Sequence, residues 1–180
     1  VCTTSLEVLD TLAPLASCQN VTVNLSPAGV DSIVADDLNF FSIDNCGITN
    51  KLINGQASIT YDCDSALISP FVVTLSLFDA SGNESTCQSV VTVKDNTPPV
   101  VQCASSATVY LDNSGQGILP AASLDNGSTD NCGYLFFEVN GDSVWNCSCS
   151  NIGVNSSLVF TASDVSSNTG VCMTQVQVLD

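Results

Sequence analysis

Residues 71–93 read FVVTLSLFDASGNESTCQSVVTV, which holds two strand patterns on either side of a turn. Residues 71–78 are apolar on both faces of an extended chain, as a central β-strand requires. Residues 79–83 are rich in the Asp, Ser, Gly and Asn that favour turns, and an alternating strand follows at 87–93. The pattern predicts a β-hairpin.

A matching hairpin follows in the second half of the chain, with strands at 158–162 and 171–179 around a turn at 164–168. The cysteines repeat with it, because Cys2, Cys87 and Cys172 are equally spaced and Cys18 matches Cys103 at the same offset. The motif Asp-Asn-Cys-Gly also recurs, at 44–47 and 130–133. These matches indicate a tandem array with a period of about 85 residues.

The repeat also predicts the domain boundaries. Residues 1–9 match 86–94 and 171–179, which end the two repeats. We therefore interpret 1–9 as the last strand of a preceding repeat or as a strand donated to a neighbouring subunit. The two repeats are then expected at 10–94 and 95–180.

Strands dominate the hydrophobic pattern of each repeat. Residues 21–25 and 175–179 alternate apolar with polar side chains, which is typical of half-buried antiparallel strands. No stretch has a sustained helical period with caps at both ends. About seven short strands per repeat predict an all-β fold, namely tandem immunoglobulin-like β-sandwich repeats joined by disulfide bonds.

The composition excludes several classes of function. The chain has 18 Asp and Glu against 2 Lys and Arg and no His, which gives a net charge of −16. Such a charge opposes binding to nucleic acid or to an anionic membrane surface, and no apolar run is long enough to insert into a membrane. Without histidine, neither a Ser-His nor a Cys-His dyad can form. We expect that the protein is not an enzyme.

Ten cysteines spread along 180 residues indicate a disulfide framework made in an oxidising compartment. Order and repeat symmetry predict the pairs Cys18–Cys46, Cys63–Cys87, Cys103–Cys132 and Cys149–Cys172, with Cys147 as the alternative to Cys149. Cys2 is expected to pair with a neighbouring repeat or another subunit. Four cysteines allow three connectivities, so other pairings stay open.

Several motifs together resemble HYR-like tandem repeats. They are the sequence DNTPPV at 95–100 with a cysteine soon after it, the Asp-Asn-Cys-Gly turn and the Asp-x-Ser-Gly-Asn hairpin tip. HYR-like repeats are immunoglobulin-like modules of very large secreted surface proteins of the Bacteroidetes, including gliding-motility adhesins. The resemblance covers nearly the whole chain, and it implies a secreted or outer-surface stalk without enzymatic activity. The second repeat departs from the pattern, because it carries Cys147 in addition and lacks the glycine at 164–168.

Acidic residues gather at the turns, which suggests calcium as a cofactor. The end of one module's last strand should lie near the loops of the next, so two groups of carboxylates are expected: Asp10, Asp44 and Asp79, and Asp95, Asp130 and Asp164. Carboxylates, Asn side chains and loop carbonyls are the oxygen ligands that Ca²⁺ requires. The alternative is that these side chains only bind the local backbone in Asx turns.

Two further surface features point to carbohydrate. The pattern Asp-Ser/Thr-aliphatic resembles the O-glycan acceptor of Bacteroidetes and predicts glycans at Thr11, Ser32, Ser65 and Ser143. Trp145, Phe136 and Phe137 could line a sugar-binding face, although filling the core is the alternative role for these rings.

These observations predict a non-catalytic extracellular repeat, structural or adhesive, in a stiff stalk or filament at the cell surface. Its partners would be neighbouring repeats of the same protein or identical subunits in a fibre. The alternative is an adhesion module that binds surface glycans through Ca²⁺ or an aromatic face.

Overall fold

A computed structural model of the chain describes residues 3–140, 144–146, 153 and 155–180. It divides into two compact units, Val1–Asp95 and Asn96–Asp180. The division falls one residue after the boundary predicted from the repeat. Each unit is an all-β sandwich made of a four-stranded and a two-stranded sheet.

Six strands form the first unit: β1 (Val21–Asn24), β2 (Val30–Val34), β3 (Ile48–Ile53), β4 (Ser58–Asp62), β5 (Phe71–Asp79) and β6 (Glu84–Lys94). Two short helices, α1 (Ala35–Leu38) and α2 (Cys63–Ile68), follow β2 and β4. Asp62 caps the N-terminus of α2, because its carboxylate accepts hydrogen bonds from the Ser65 backbone and hydroxyl. No helix among the described residues has the length and apolar character needed to cross a membrane.

The second unit repeats this order with β7 (Ser106–Tyr110), β8 (Gln116–Ile118), β9 (Phe136–Val139), β10 (Val144–Asn146), β11 (Asn155–Ser163) and β12 (Thr169–Leu179). A 3-10 turn at Ala121–Leu124 stands where the first unit has α1. The sheet orders are β1-β6-β5-β3 with β2-β4, and β7-β12-β11-β9 with β10-β8. Both predicted hairpins are confirmed, as β5–β6 and β11–β12.

The first strand of each unit runs parallel to the last one, with Val21 opposite Val91 and Gln175 opposite Ser106. The expectation that residues 21–25 form an antiparallel strand is therefore wrong. After β1 the chain enters the other sheet as β2, so β1 and β6 are not joined by a turn and can align in the same direction. Alternation of side chains shows which residues face the core, but it does not give the neighbouring strand or its direction.

Alternation along the strands builds the core. In the first unit Leu75 and Leu77 of β5 and Val91 of β6 are fully buried, and Ile33 and Tyr61 of the smaller sheet are buried opposite them. In the second unit the corresponding cluster is Val109, Leu119, Leu124, Leu158, Phe160, Val176 and Val178. Each pair of sheets thus shares one apolar core, as predicted.

The disulfide bonds differ from the predicted pairs. In the first unit Cys18 is bonded to Cys87, with 5.8 Å between the Cα atoms. The predicted pairs Cys18–Cys46 and Cys63–Cys87 are therefore wrong. The parallel pairing of β1 with β6 explains the difference, because Cys18, three residues before β1, lies beside the first half of β6.

The second unit shows the same arrangement, with Cys103 bonded to Cys172. This bond replaces the predicted pairs Cys103–Cys132 and Cys149–Cys172, and also the alternative partner Cys147. Both bonds span 69 residues of sequence, as expected for two copies of one repeat.

The other cysteines fall into three groups. Cys46 is a free, exposed thiol, whereas Cys63 and Cys132 are also in disulfide bonds. Cys2, Cys147 and Cys149 lie outside the described residues. The pairing predicted for Cys2 therefore stays a prediction.

Candidate metal centre

Three carboxylates from distant parts of the first unit meet at one end of its sandwich. Asp10 precedes the first strand, Asp44 lies in the loop before β3, and Asp79 ends β5. One oxygen of each carboxylate lies within 4.8 Å of the corresponding oxygens of the other two. The fold therefore brings together the group that the sequence predicted.

Local turns hold two of these side chains in place. Oδ2 of Asp44 accepts hydrogen bonds from the backbone N–H groups of Cys46 and Gly47, both at 2.8 Å. Oδ1 of Asp79 accepts from the backbone N–H groups of Ser81 and Asn83, at 2.9 and 2.8 Å. These are the Asx-type turns of the alternative interpretation. They occupy one oxygen of each carboxylate.

The remaining oxygens of Asp10 and Asp44 are the unusual feature of the site. Oδ2 of Asp10 and Oδ1 of Asp44 each expose less than 1 Å² and have no hydrogen-bond partner among the described residues. A buried carboxylate oxygen without a donor is costly, and native proteins rarely contain one. The geometry therefore offers two uncompensated anionic oxygens to a positively charged ligand.

Two asparagines complete the cluster. The Asn83 side-chain amide donates to Oδ2 of Asp79 at 2.7 Å and to the backbone carbonyls of Asp10 at 3.1 Å and Leu12 at 3.2 Å. The Asn45 amide donates to Oδ1 of Asp10 at 3.3 Å. The sequence predicted Asn side chains as ligands without assigning them to positions. It did not predict that Asn83 links Asp79 to the backbone of Asp10 and Leu12. The available signal was its spacing from Asp79, which recurs between Asp164 and Asn168.

Hydrogen bonding favours the ionised form of two of these carboxylates, Asp10 and Asp79. The backbone N–H of Leu12, with smaller contributions from Cys46 and Asn45, lowers the pKa of Asp10. The side chain of Asn83 is the main cause of the lowered pKa of Asp79. Conversely, the hydrogen bond to Asp10 and its negative charge raise the pKa of the Cys46 thiol. The site is therefore strongly negative at neutral pH.

Basic side chains do not neutralise it. The chain has only two Lys or Arg residues and no His. Lys51 forms an ion pair with Asp36, and Lys94 is exposed at the end of β6. Hard oxygen ligands without a protein cation are suited to a divalent metal ion such as Ca²⁺.

The second predicted group of carboxylates is divided between the two units. Asp95 is the last residue of the first unit, whereas Asp130 and Asp164 belong to the second. Asp130 accepts through Oδ2 from the Cys132 backbone, and its Oδ1 is buried without a partner among the described residues. Asp164 is 3% exposed and accepts from the backbone and side chain of Asn168. Unlike Asp79, Asp164 belongs to no group of three candidate ligands in the described part of the chain.

The predicted glycan acceptors differ in accessibility. Thr11 is exposed, and Ser32 is exposed on β2. Ser65 is half-buried, and its hydroxyl donates to the Asp62 carboxylate that caps α2. Ser143 lies outside the described residues. Thr11 and Ser32 are thus more accessible than Ser65.

The predicted aromatic face is not formed by Phe136 and Phe137. As neighbours in β9, they point to opposite sides of the sheet. Phe136 is 61% exposed, whereas Phe137 stacks on the buried Phe160 with ring centres 5.3 Å apart. The side chain of Trp145 lies outside the described part of the structure.

Comparison with known proteins gives no family. No family model matches the chain, and no curated protein matches it in sequence. The resemblance to HYR-like repeats therefore stays a hypothesis.

Solved structures with a similar course of the chain include the extracellular domain of protocadherin gamma B4, Drosophila N-cadherin and an I-band fragment of titin. Their sequence identities are 17%, 12% and 12%, with TM-scores of 0.37, 0.41 and 0.34. The matches cover 93%, 94% and 94% of this chain but only 32%, 50% and 66% of those chains. Likenesses of this size carry no information about ligands, partners or activity.

Proposed function

We propose that the chain is a non-catalytic, extracellular, load-bearing repeat from a stiff stalk or filament at the cell surface. The observation that carries this proposal is the disulfide bond in each unit between a cysteine three residues before the first strand and a cysteine in the last strand. Disulfide bonds persist in oxidising environments such as the cell exterior. The absence of histidine, which removes the commonest general base, supports a role without catalysis.

The position of the disulfide bonds determines the path of a pulling force. Tension along the chain enters the first unit ahead of Cys18 and leaves it after β6. The bond between Cys18 and Cys87 carries this tension across directly, so the residues between them are bypassed. The load is then borne by the residues of the unit ahead of Cys18 and by the part of β6 after Cys87. Hydrogen bonds to β1 and β5 hold that part of β6 on both sides. The Cys103–Cys172 bond has the same effect in the second unit.

Single-molecule stretching of the chain from its two ends tests this role. The sequence separation of 69 between the bonded cysteines corresponds to a contour length of about 250 Å per unit at about 3.6 Å per residue. We expect these lengths to be released only after addition of a reductant. A Cys46→Ser variant is the matched control, because Cys46 is unbonded and its loss should change nothing. Release of about 250 Å per unit from the oxidised chain would contradict the proposal.

The resemblance to HYR-like repeats supports a source in a large secreted surface protein, with neighbouring repeats or identical subunits as partners. The net charge of −16 would keep such an array soluble. Glycans at the exposed Thr11 and Ser32 would increase this solubility further.

A calcium-dependent adhesive role is the second candidate, and the cluster of Asp10, Asp44 and Asp79 favours it. Three carboxylates within 4.8 Å of one another repel, and two of their buried oxygens lack a donor among the described residues. A Ca²⁺ ion would compensate both, with the Asp10 and Asp44 oxygens as its first ligands and Asp79 as the third. The ion would fix the segment before β1 against the loops that carry Asp44 and Asp79, and so hold a surface for a glycan or protein partner.

A further inference from the structure

Residues 3–9 have the sequence of a strand but no partner strand. All seven are exposed, with Leu6 at 89% and Val8 at 87%. Among the described residues none forms a hydrogen bond with this segment, and it is not part of any sheet. Two alternating aliphatic side chains are therefore left in water, where a β-strand would normally bury them on one face.

The equivalent positions of the two complete units are buried. Thr4, Leu6 and Val8 correspond to residues of β6 and β12 at successive offsets of 85. In those strands the relative exposures are 1%, 0% and 3% for Ser89, Val91 and Val93, and 0% for Thr174, Val176 and Val178. The segment thus carries the residue pattern of the buried face of a last strand, although it is exposed in the described structure.

The likeness to β12 is close at the level of sequence. Residues 1–10 read VCTTSLEVLD and residues 171–180 read VCMTQVQVLD, which are identical at six of ten positions. Of the four differences, only the exchange of Leu6 for Val176 concerns a buried side chain of β12. The other three fall on Met173, Gln175 and Gln177, which alternate with the buried residues.

We propose that residues 3–9 form the last strand of a further sandwich unit of this same repeat type. The segment lies parallel to the first strand of that acceptor and antiparallel to its fifth, as β6 and β12 do in the two complete units. Thr4, Leu6 and Val8 face the core of the acceptor. This interaction does not depend on the load-bearing role or on a bound metal.

Transplantation tests whether the segment can act as a last strand. The variant M173T/Q175S/V176L/Q177E converts residues 171–180 into the sequence of residues 1–10. We expect it to fold, to keep the Cys103–Cys172 bond and to melt within a few degrees of the parent chain. The variant V176L alone is the matched control for the single buried change. A folded V176L chain together with an unfolded second unit in the transplant overturns the proposal.

Truncation tests the interaction between chains. Deletion of residues 171–180 leaves the second unit as an acceptor, so residues 3–9 of one copy should fill the vacancy of the next. Analytical ultracentrifugation should show head-to-tail oligomers. An excess of synthetic peptide 171–180 should dissociate them by competing for the vacant strand position, and the additional changes L6D/V8D should prevent their formation. Oligomers that L6D/V8D leaves intact, or a monomer with a folded second unit, contradict the proposal. If the truncated unit does not fold, the transplant decides.

Discussion

The carboxylates of the first unit show how one residue can serve a turn and a ligand site together. Asp44 uses Oδ2 to close its turn and leaves Oδ1 buried and unpaired among the described residues. An Asx turn alone needs only one of these oxygens. The second oxygen therefore distinguishes a candidate metal ligand from a turn residue.

We expect Ca²⁺ to raise the melting temperature of the chain relative to EDTA. The ion binds the folded state, where it relieves the repulsion among Asp10, Asp44 and Asp79. Its binding stabilises the folded state by RT ln(1 + [Ca²⁺]/Kd). Differential scanning calorimetry measures the shift, and the change Asp44→Asn should abolish it. The change Asp37→Asn, an exposed carboxylate elsewhere in the unit, is the control and should leave it unchanged. Equal melting temperatures in Ca²⁺ and EDTA would rule the site out.

Acid should destabilise the first unit in the absence of metal. The folded-state pKa values of Asp10 and Asp79 are lowered, mainly by the Leu12 backbone N–H and by the Asn83 side chain. Their contribution to stability is therefore full above the unfolded-state value of about 3.9 and is lost as the pH falls through the lower folded-state pKa.

Urea unfolding in EDTA at pH 7, 5 and 3 measures this loss as a fall in the free energy of unfolding between pH 5 and pH 3. The change Asn83→Ala should reduce the fall, because Asn83 is the main cause of the shift at Asp79. A free energy that stays constant down to pH 3 would be inconsistent with the lowered pKa values.

At the level of elements, the first and last strands are linked both by hydrogen bonds and by a disulfide bond. β1 has only four residues, and its pairing with β6 holds the segment after Cys18 against the centre of the large sheet. A short strand of this kind is weakly held by its own hydrogen bonds. The Cys18–Cys87 bond therefore makes an essential contribution to the first unit.

Loss of this bond should destabilise the first unit by about 4 kcal/mol, the chain-entropy value for a loop of 69 residues. The variant Cys18→Ser/Cys87→Ser measures it by urea unfolding followed by circular dichroism. Cys46→Ser should have almost no effect, because that thiol is exposed and unbonded. A larger loss from Cys46→Ser than from the double variant would contradict the observed pairing.

The sequence predicted the positions of the strands better than it predicted which strands pair with each other. The hairpins at β5–β6 and β11–β12 follow from alternation on either side of a turn, which are local signals. The parallel pairing of β1 with β6 depends on contacts between residues that are 70 apart in the sequence, and a local pattern cannot predict such contacts. The wrong cysteine pairs follow from the same limitation, because pairing in order of sequence assumes that nearby cysteines meet.

The candidate site was predictable for a different reason. Asp10, Asp44 and Asp79 are each next to a turn signal that recurs in the second repeat. The turns of a small sandwich gather at its ends, so acidic turn residues become neighbours. The unpaired oxygens of Asp10 and Asp44 and the three hydrogen bonds of Asn83 depend on side-chain orientation, which sequence does not give.

At the scale of the whole molecule, one disulfide connectivity occurs twice: a cysteine just ahead of the first strand of each unit is bonded to a cysteine in its last strand. The proposed force path needs both bonds. The strong negative charge and the free thiol of Cys46 are compatible with this arrangement but do not define it.

Mass spectrometry of peptic peptides from the unreduced protein, prepared in acid to prevent disulfide exchange, tests this connectivity most directly. We expect one linked pair that contains Cys18 and Cys87 and a second that contains Cys103 and Cys172. Peptides that link Cys18 to Cys46, or Cys103 to Cys132, would contradict both the parallel pairing of the outer strands and the load-bearing role.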